Sequence, residues 1–174
     1  MQFTPCGRAR YASRSIWLLA IGLGVLSSIS WASSSQCGFI KDADQQAYCR
    51  AISGGGSAQC GFIKNRDSQA RCRAEMERSA GQCGFIQDRD EAAACRARVG
   101  GSQGGPNPSA CSFIQDADRR TYCRATTGGE PAQCGFIKDA DLQALCRAET
   151  GGGGSQCGFI KNRDLQAACR ATVK

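Results

Sequence analysis

The stretch from Gln36 to Ala51, "QCGFIKDADQQAYCRA", sets two cysteines eleven residues apart around an aspartate pair and ends in C-R-A. It recurs with small edits as "QCGFIKNRDSQARCRA" (59–74), "QCGFIQDRDEAAACRA" (82–97), "CSFIQDADRRTYCRA" (111–125), "QCGFIKDADLQALCRA" (133–148) and "QCGFIKNRDLQAACRA" (156–171). One small unit is therefore written six times, and its reading decides the fold. Positions are counted below from the first cysteine of each unit.

The units pair Cys37 with Cys49, Cys60 with Cys72, Cys83 with Cys95, Cys111 with Cys123, Cys134 with Cys146 and Cys157 with Cys169, all at one spacing. Units start every 23 residues, except that "GGSQGGPNPSA" lengthens the third step to 28. Pairing between units would alter one closed loop there, whereas pairing within units keeps all six alike, so disulfides within each unit are expected. An even set of twelve at fixed spacing reads as a disulfide framework of an exported chain. Each staple should stabilise its unit by about 3 kcal/mol through the unfolded chain.

Position 6 is Asp or Asn in every copy (Asp42, Asn65, Asp88, Asp116, Asp139, Asn162), the residue types that best accept hydrogen bonds at a helix start. Position 8 is always Asp (Asp44, Asp67, Asp90, Asp118, Asp141, Asp164), where its charge favours the helix dipole. Gln45 after Asp42 and Glu91 after Asp88 complete capping boxes. A helix of roughly ten residues should follow, ended by glycines such as Gly54 and Gly151. The preceding A-Q-C-G-F-I suits one helical turn folded back on that helix, with Phe39 and Ile40, and their equivalents, as a minimal core.

The expected class is all-α: six tandem disulfide-stapled short helical hairpins, stacked as a small solenoid or bundle-like array. So small a unit needs its staple and a neighbour to cover its apolar side. The linkers "SGGGSA", "TGGEPA" and "TGGGGS" permit tight turns or flexibility, "EMERSAG" could prolong its helix, and Pro106 with Pro108 could split the array. Beads on a string are the alternative.

Ahead of the units, Arg8, Arg10 and Arg14 precede an apolar run from Ile16 to Leu26 and the small residues Ser30 and Ala32. This is the pattern of a cleaved secretory signal, with an apolar run too short for the roughly 20 residues of a membrane span. The expected layout is a signal at 1–32, repeats at 33–58, 59–81 and 82–98, a Gly/Pro linker at 99–110, and repeats at 111–132, 133–155 and 156–174. Localisation is then periplasmic or secreted. Without the signal's three arginines, basic residues fall from 22 to 19 against 15 acids, a net charge of +4. That is too mild for a dedicated nucleic-acid binder.

The chemical readings are weak. D-x-D lacks the further ligands of a calcium loop, and Arg66, Arg89 and Arg163 would oppose a cation in half the copies. The chain has no histidine and no C-x-x-C, which disfavours zinc, redox catalysis and the common nucleophilic triads. Neither an enzyme nor a cofactor or metal site is expected. Arg50, Arg73, Arg96, Arg124, Arg147 and Arg170, after the second cysteine, are the candidate binding residues. As structure they would complement the helix dipole or pair with an Asp of the next unit; as a ladder they would recognise carboxylate or phosphate groups.

The pattern C-x-F-I-x-[DN]-x-D-x4-C-R-A resembles that of poorly characterised exported bacterial proteins built from tandem short Cys-pair repeats. The resemblance spans Gln36 to Ala171 and implies no activity and no functional residues. The expected function is an exported, non-enzymatic protein-binding module, tuned at positions 9 to 12 (QQAY, SQAR, EAAA, RRTY, LQAL, LQAA). An inhibitor or immunity-type protein against an envelope-acting toxin or hydrolase is its concrete form. A binder of anionic envelope polymer or lipid through the arginines is the alternative, and a metal- or redox-buffering thiol protein the second.

Overall fold

A computed structural model describes residues 35–173; the expected signal at 1–32 lies outside the described residues. Each unit opens with a 3-10 turn that ends at its phenylalanine, and a helix follows. The six helices are α1 (Ala43–Arg50), α2 (Arg66–Glu77), α3 (Arg89–Val99), α4 (Ala117–Gly128), α5 (Ala140–Arg147) and α6 (Arg163–Thr172). No strand occurs among the described residues.

All six helices start as the sequence implies. The position-6 side chain accepts the backbone N–H three residues on, from 2.7 Å for Asp88 to Glu91 up to 3.0 Å for Asn162 to Leu165. The disulfides follow the within-unit pairing. Cys37 is bonded to Cys49, Cys60 to Cys72 and Cys83 to Cys95 in the first three units. Cys111 is bonded to Cys123, Cys134 to Cys146 and Cys157 to Cys169 in the last three. Each turn is thereby stapled across the helix that follows it. In five units a position-10 side chain adds a second tie by donating to the isoleucine carbonyl, as Gln69 does to Ile63 at 2.9 Å.

The core lies between units rather than within them. In each seam, alanines of one helix receive the isoleucine and disulfide of a neighbouring unit. Ala47 and Ala51 meet Cys60, Ile63 and Cys72, and Ala70 and Ala74 meet Cys83, Ile86 and Cys95. Ala125 meets Cys134, Ile137 and Cys146, and Ala144 and Ala148 meet Cys157, Ile160 and Cys169. Alanine at position 15 in every unit, and at position 11 in all but the fourth, where Thr121 stands, thus has a steric reason, because a longer side chain would occupy the seat of the disulfide. The alanine of C-R-A is the second of these seats.

The phenylalanines do not join the core, contrary to the sequence reading. Ile40, Ile63, Ile86, Ile114, Ile137 and Ile160 are buried, whereas Phe39, Phe62, Phe85, Phe113, Phe136 and Phe159 are 70–75 % exposed. The chain leaves the 3-10 turn in extended conformation at isoleucine, which turns that side chain into the seam. The adjacent phenylalanine is left on the outside, since small alanines and a disulfide already fill the seam.

The position-8 aspartates join unit to unit. Asp44 accepts the backbone N–H groups of Lys64 and Asn65 at 2.9 and 2.8 Å, and Asp67 those of Gln87 and Asp88 at 3.0 Å each. Asp90, Asp118 and Asp141 repeat the pattern on units four, five and six. Asp164, in the last unit, reaches Lys41 and Asp42 of the first at 3.1 Å each. The same closing seam packs Ala167 and Ala171 against Cys37, Ile40 and Cys49. The array is a closed ring of six, in which head-to-tail interfaces of one kind complete a circle.

Ring closure corrects two finer expectations and decides a third. The reciprocal half of the capping boxes is absent, because the N–H groups of Asp42 and Asp88 are donated to Asp164 and Asp67 instead. Pro106 and Pro108 do not split the array: Ala93 and Ala97 pack on Cys111, Ile114 and Cys123 as in any other seam. The extra residues fold into a loop held by Asn107 N–H to Ala97 carbonyl at 2.6 Å and Gly101 N–H to Gly105 carbonyl at 2.9 Å. Finally, the glycine linkers form tight turns; Gly54 (φ 110°) and Gly151 (φ 124°) take backbone conformations that disfavour side chains.

Candidate functional site

Positions 9, 12 and 16 lie at i, i+3 and i+7, on one stripe of each helix. In the ring these stripes face the centre, where all six units line one cavity of about 630 Å³. Position 12 contributes Tyr48, Arg71, Ala94, Tyr122, Leu145 and Ala168, and position 16 contributes Ile52, Glu75, Arg98, Thr126, Glu149 and Thr172. At position 9, Glu91, Arg119, Leu142 and Leu165 reach it. Much of the expected variable surface is therefore turned inward. Position 10 holds the isoleucine carbonyl, and position 11 sits in the seam.

The cavity has two unlike arcs. On one, Arg71 and Arg119 both pair with Glu91, the latter at 2.6 Å. Arg98 pairs with Glu75 at 2.8 Å, and Glu75 also accepts the Tyr48 hydroxyl. The Tyr122 hydroxyl donates to Glu149 at 2.6 Å, and the Arg71 guanidinium lies 4.6 Å from the centre of the Tyr48 ring. On the other arc stand Ile52, Leu142, Leu145, Leu165 and Ala168.

This environment shifts the titrating groups. Burial, reinforced by the charge of Glu75, pushes the Tyr48 hydroxyl up, and burial with Glu149 does the same for Tyr122. For Arg98, burial opposes the charge, but Glu75 and further negative or phenolic neighbours outweigh it and hold the guanidinium firmly protonated. Both tyrosines are thus neutral hydrogen-bond donors at ordinary pH.

The six candidate arginines Arg50, Arg73, Arg96, Arg124, Arg147 and Arg170 are all exposed, away from this cavity. Arg50, Arg96, Arg147 and Arg170 lie in the last turn of their helices, while α2 and α4 run on past Arg73 and Arg124. None pairs with an Asp of the next unit, because those carboxylates are taken by backbone N–H groups. Arg96 lines a shallow groove with Phe113 of the following unit, which places cation and aromatic side by side on the outer wall. All twelve unit cysteines, from Cys37 to Cys169 and including Cys95 and Cys146, are in disulfides.

No protein-family model matches the chain, and no curated protein or solved structure is significantly similar to it.

Two sets of residues lie outside what the repeat pattern assigns correctly. The phenylalanines read as core and face outward. Glu75, Arg98 and Glu149 at position 16 lie beyond C-R-A, where the repeat pattern ends, although extending the i, i+3, i+7 stripe from positions 9 and 12 reaches them.

Proposed function

We propose that the chain is an exported, non-enzymatic ring that binds a protein partner through its outer wall. One observation carries this reading: among the residues repeated in all six units, packing or hydrogen bonding accounts for the cysteines, isoleucines and position-8 aspartates, but not for the phenylalanine or the arginine. Each phenylalanine is at least 70 % exposed, and none of the six arginine side chains has a hydrogen-bond or ion-pair partner among the described residues. The cavity positions differ from unit to unit, so repetition of the outer pair is not mere sameness of the copies.

An aromatic beside a guanidinium suits an acidic, apolar segment of a partner, and Phe and Arg are side chains that anchor interfaces. Both side chains recur in all six units, and that repetition would add avidity toward a partner that presents such segments more than once. Six disulfides belong in an oxidising compartment, which supports action outside the cytoplasm; no helix among the described residues is long and apolar enough to cross a membrane.

The test is capture from the producing cell's envelope and from competing cells, using the ring and a variant with Phe113→Ala and Phe136→Ala. A single partner retained at moderate salt and depleted by the double variant supports the reading; an envelope hydrolase or toxin would give it the inhibitor form. Salt-sensitive binding to anionic vesicles or polymer, lost on Arg→Gln exchange at position 14, would replace it with the alternative.

A further inference from the structure

The cavity at the centre is separate from the outer wall. Seams are built chiefly from positions 4, 11 and 15 and the disulfides, with side chains of positions 9 and 12 resting against them, so the seams constrain positions 9, 12 and 16 less tightly. They do vary, yet the result is segregated: the three arginines come from units two to four, and the three leucines and Ile52 from units five, six and one, where Tyr48, Glu149 and Thr172 are the polar lining. The leucines lean on neighbouring seams and still present surface to the cavity. A cavity of about 630 Å³ lies within the range of roughly 300–1,000 Å³ usual for small-molecule sites.

Donors on the polar arc are unevenly used. Glu75 is matched by Arg98 and Tyr48, and Glu149 by the Tyr122 hydroxyl. Glu91 is shared between Arg71 and Arg119, and Arg119 also reaches the exposed Asp88 carboxylate at 3.9 Å. The Nε–H of Arg71 is buried and makes no hydrogen bond, so two guanidiniums converge around an unmade donor. Arg119 retains 44 % of its side-chain surface, which leaves this arginine cluster reachable from solvent.

We propose that the central cavity binds an amphipathic anion, with a carboxylate or phosphate head on a single apolar tail. The head sits at Arg71 and Arg119, where the unmade Nε–H of Arg71 can donate to it. The tail lies against Ile52, Leu142, Leu145 and Leu165 and removes that arc from water. A cationic head is disfavoured, because each glutamate already has at least one donor and the group left unmade is itself a donor.

Calorimetric titration of the disulfide-intact protein with dodecanoate, dodecyl phosphate, dodecanol and dodecyltrimethylammonium, each below its micellar concentration, tests this. One molecule of dodecanoate or dodecyl phosphate per ring is expected, at least ~10-fold tighter than the alcohol or the cation, and ~3–4-fold weaker for each methylene removed. Arg71→Gln should weaken the anions ~10-fold or more and leave dodecanol unchanged. Leu145→Trp, which fills the apolar arc, should abolish binding, and Phe113→Ala should not affect it. Each variant is checked for a wild-type melting curve and absence of free thiol; if Arg71→Gln fails that check, Leu145→Trp and the four-ligand comparison still decide. Equal binding of anion and cation, binding that survives Leu145→Trp, or no binding of either acid would overturn the proposal.

Discussion

The carboxylate of Asp164 accepts the backbone N–H groups of Lys41 and Asp42, 122 residues away in sequence for the latter, in the same geometry by which Asp44 holds Lys64 and Asn65 twenty and twenty-one residues on. The last unit therefore treats the first as its successor. In an open solenoid the terminal aspartate would face water and its loss would cost almost nothing. In the ring, Asp164→Ala should lower the melting temperature about as much as Asp118→Ala, as read by circular dichroism at pH 7. A negligible effect of Asp164→Ala beside a clear one of Asp118→Ala would mean an open array.

Removal of the sixth unit, residues 156–174, uncovers Ala144 and Ala148 on one side and Ile40 on the other. Two complementary seams then stand exposed on one molecule, a head-to-tail arrangement that propagates between copies. The shortened chain should form dimers or larger species in light scattering, whereas the full ring should be a monomer at the same concentration.

The joining aspartates also set a pH dependence. Hydrogen bonds from the backbone of the next unit hold Asp44, Asp67, Asp90, Asp118 and Asp141 below the ordinary carboxylate value of 3.8. A carboxyl depressed in the folded state contributes stability that is complete above its unfolded value and lost as pH falls through its folded one. The melting temperature should thus be flat from pH 8 to about 5 and fall below about pH 4. With Asp44 and Asp90 both changed to Asn, the acid limb of that curve should shrink.

Ala97 is fully buried in the seam with Cys111 and Ile114, and Phe113, one residue before Ile114, is 75 % exposed. Ala97→Leu should destabilise the ring by about 1–3 kcal/mol through overpacking. Phe113→Ala should change stability by less than about 0.5 kcal/mol. Urea unfolding of the two variants checks both, and the reverse order would restore phenylalanine to the core.

Gly104 has φ +73°, and a Cβ there would stand 2.2 Å from the Arg78 carbonyl oxygen. Gly104→Ala should destabilise by at least about 1 kcal/mol and loosen the third linker, seen as faster amide exchange at Asn107, whose N–H is bonded to Ala97.

The sequence by itself determined the unit: its staple, its helix start at position 6, its small alanines and its all-α class. These features are local, set by hydrogen bonds and loop closures spanning fewer than twenty residues, and they repeat six times without contradiction. Only the tertiary structure decided that the units close into a ring, that each position-8 aspartate serves its neighbour as well as its own helix dipole, and that phenylalanine faces out while positions 9, 12 and 16 face in. All of these follow from the angle between successive units, which is fixed by how alanines, isoleucine and disulfide fit in the seam. A few degrees more or less would leave a spiral, and no pattern within a single unit records that angle.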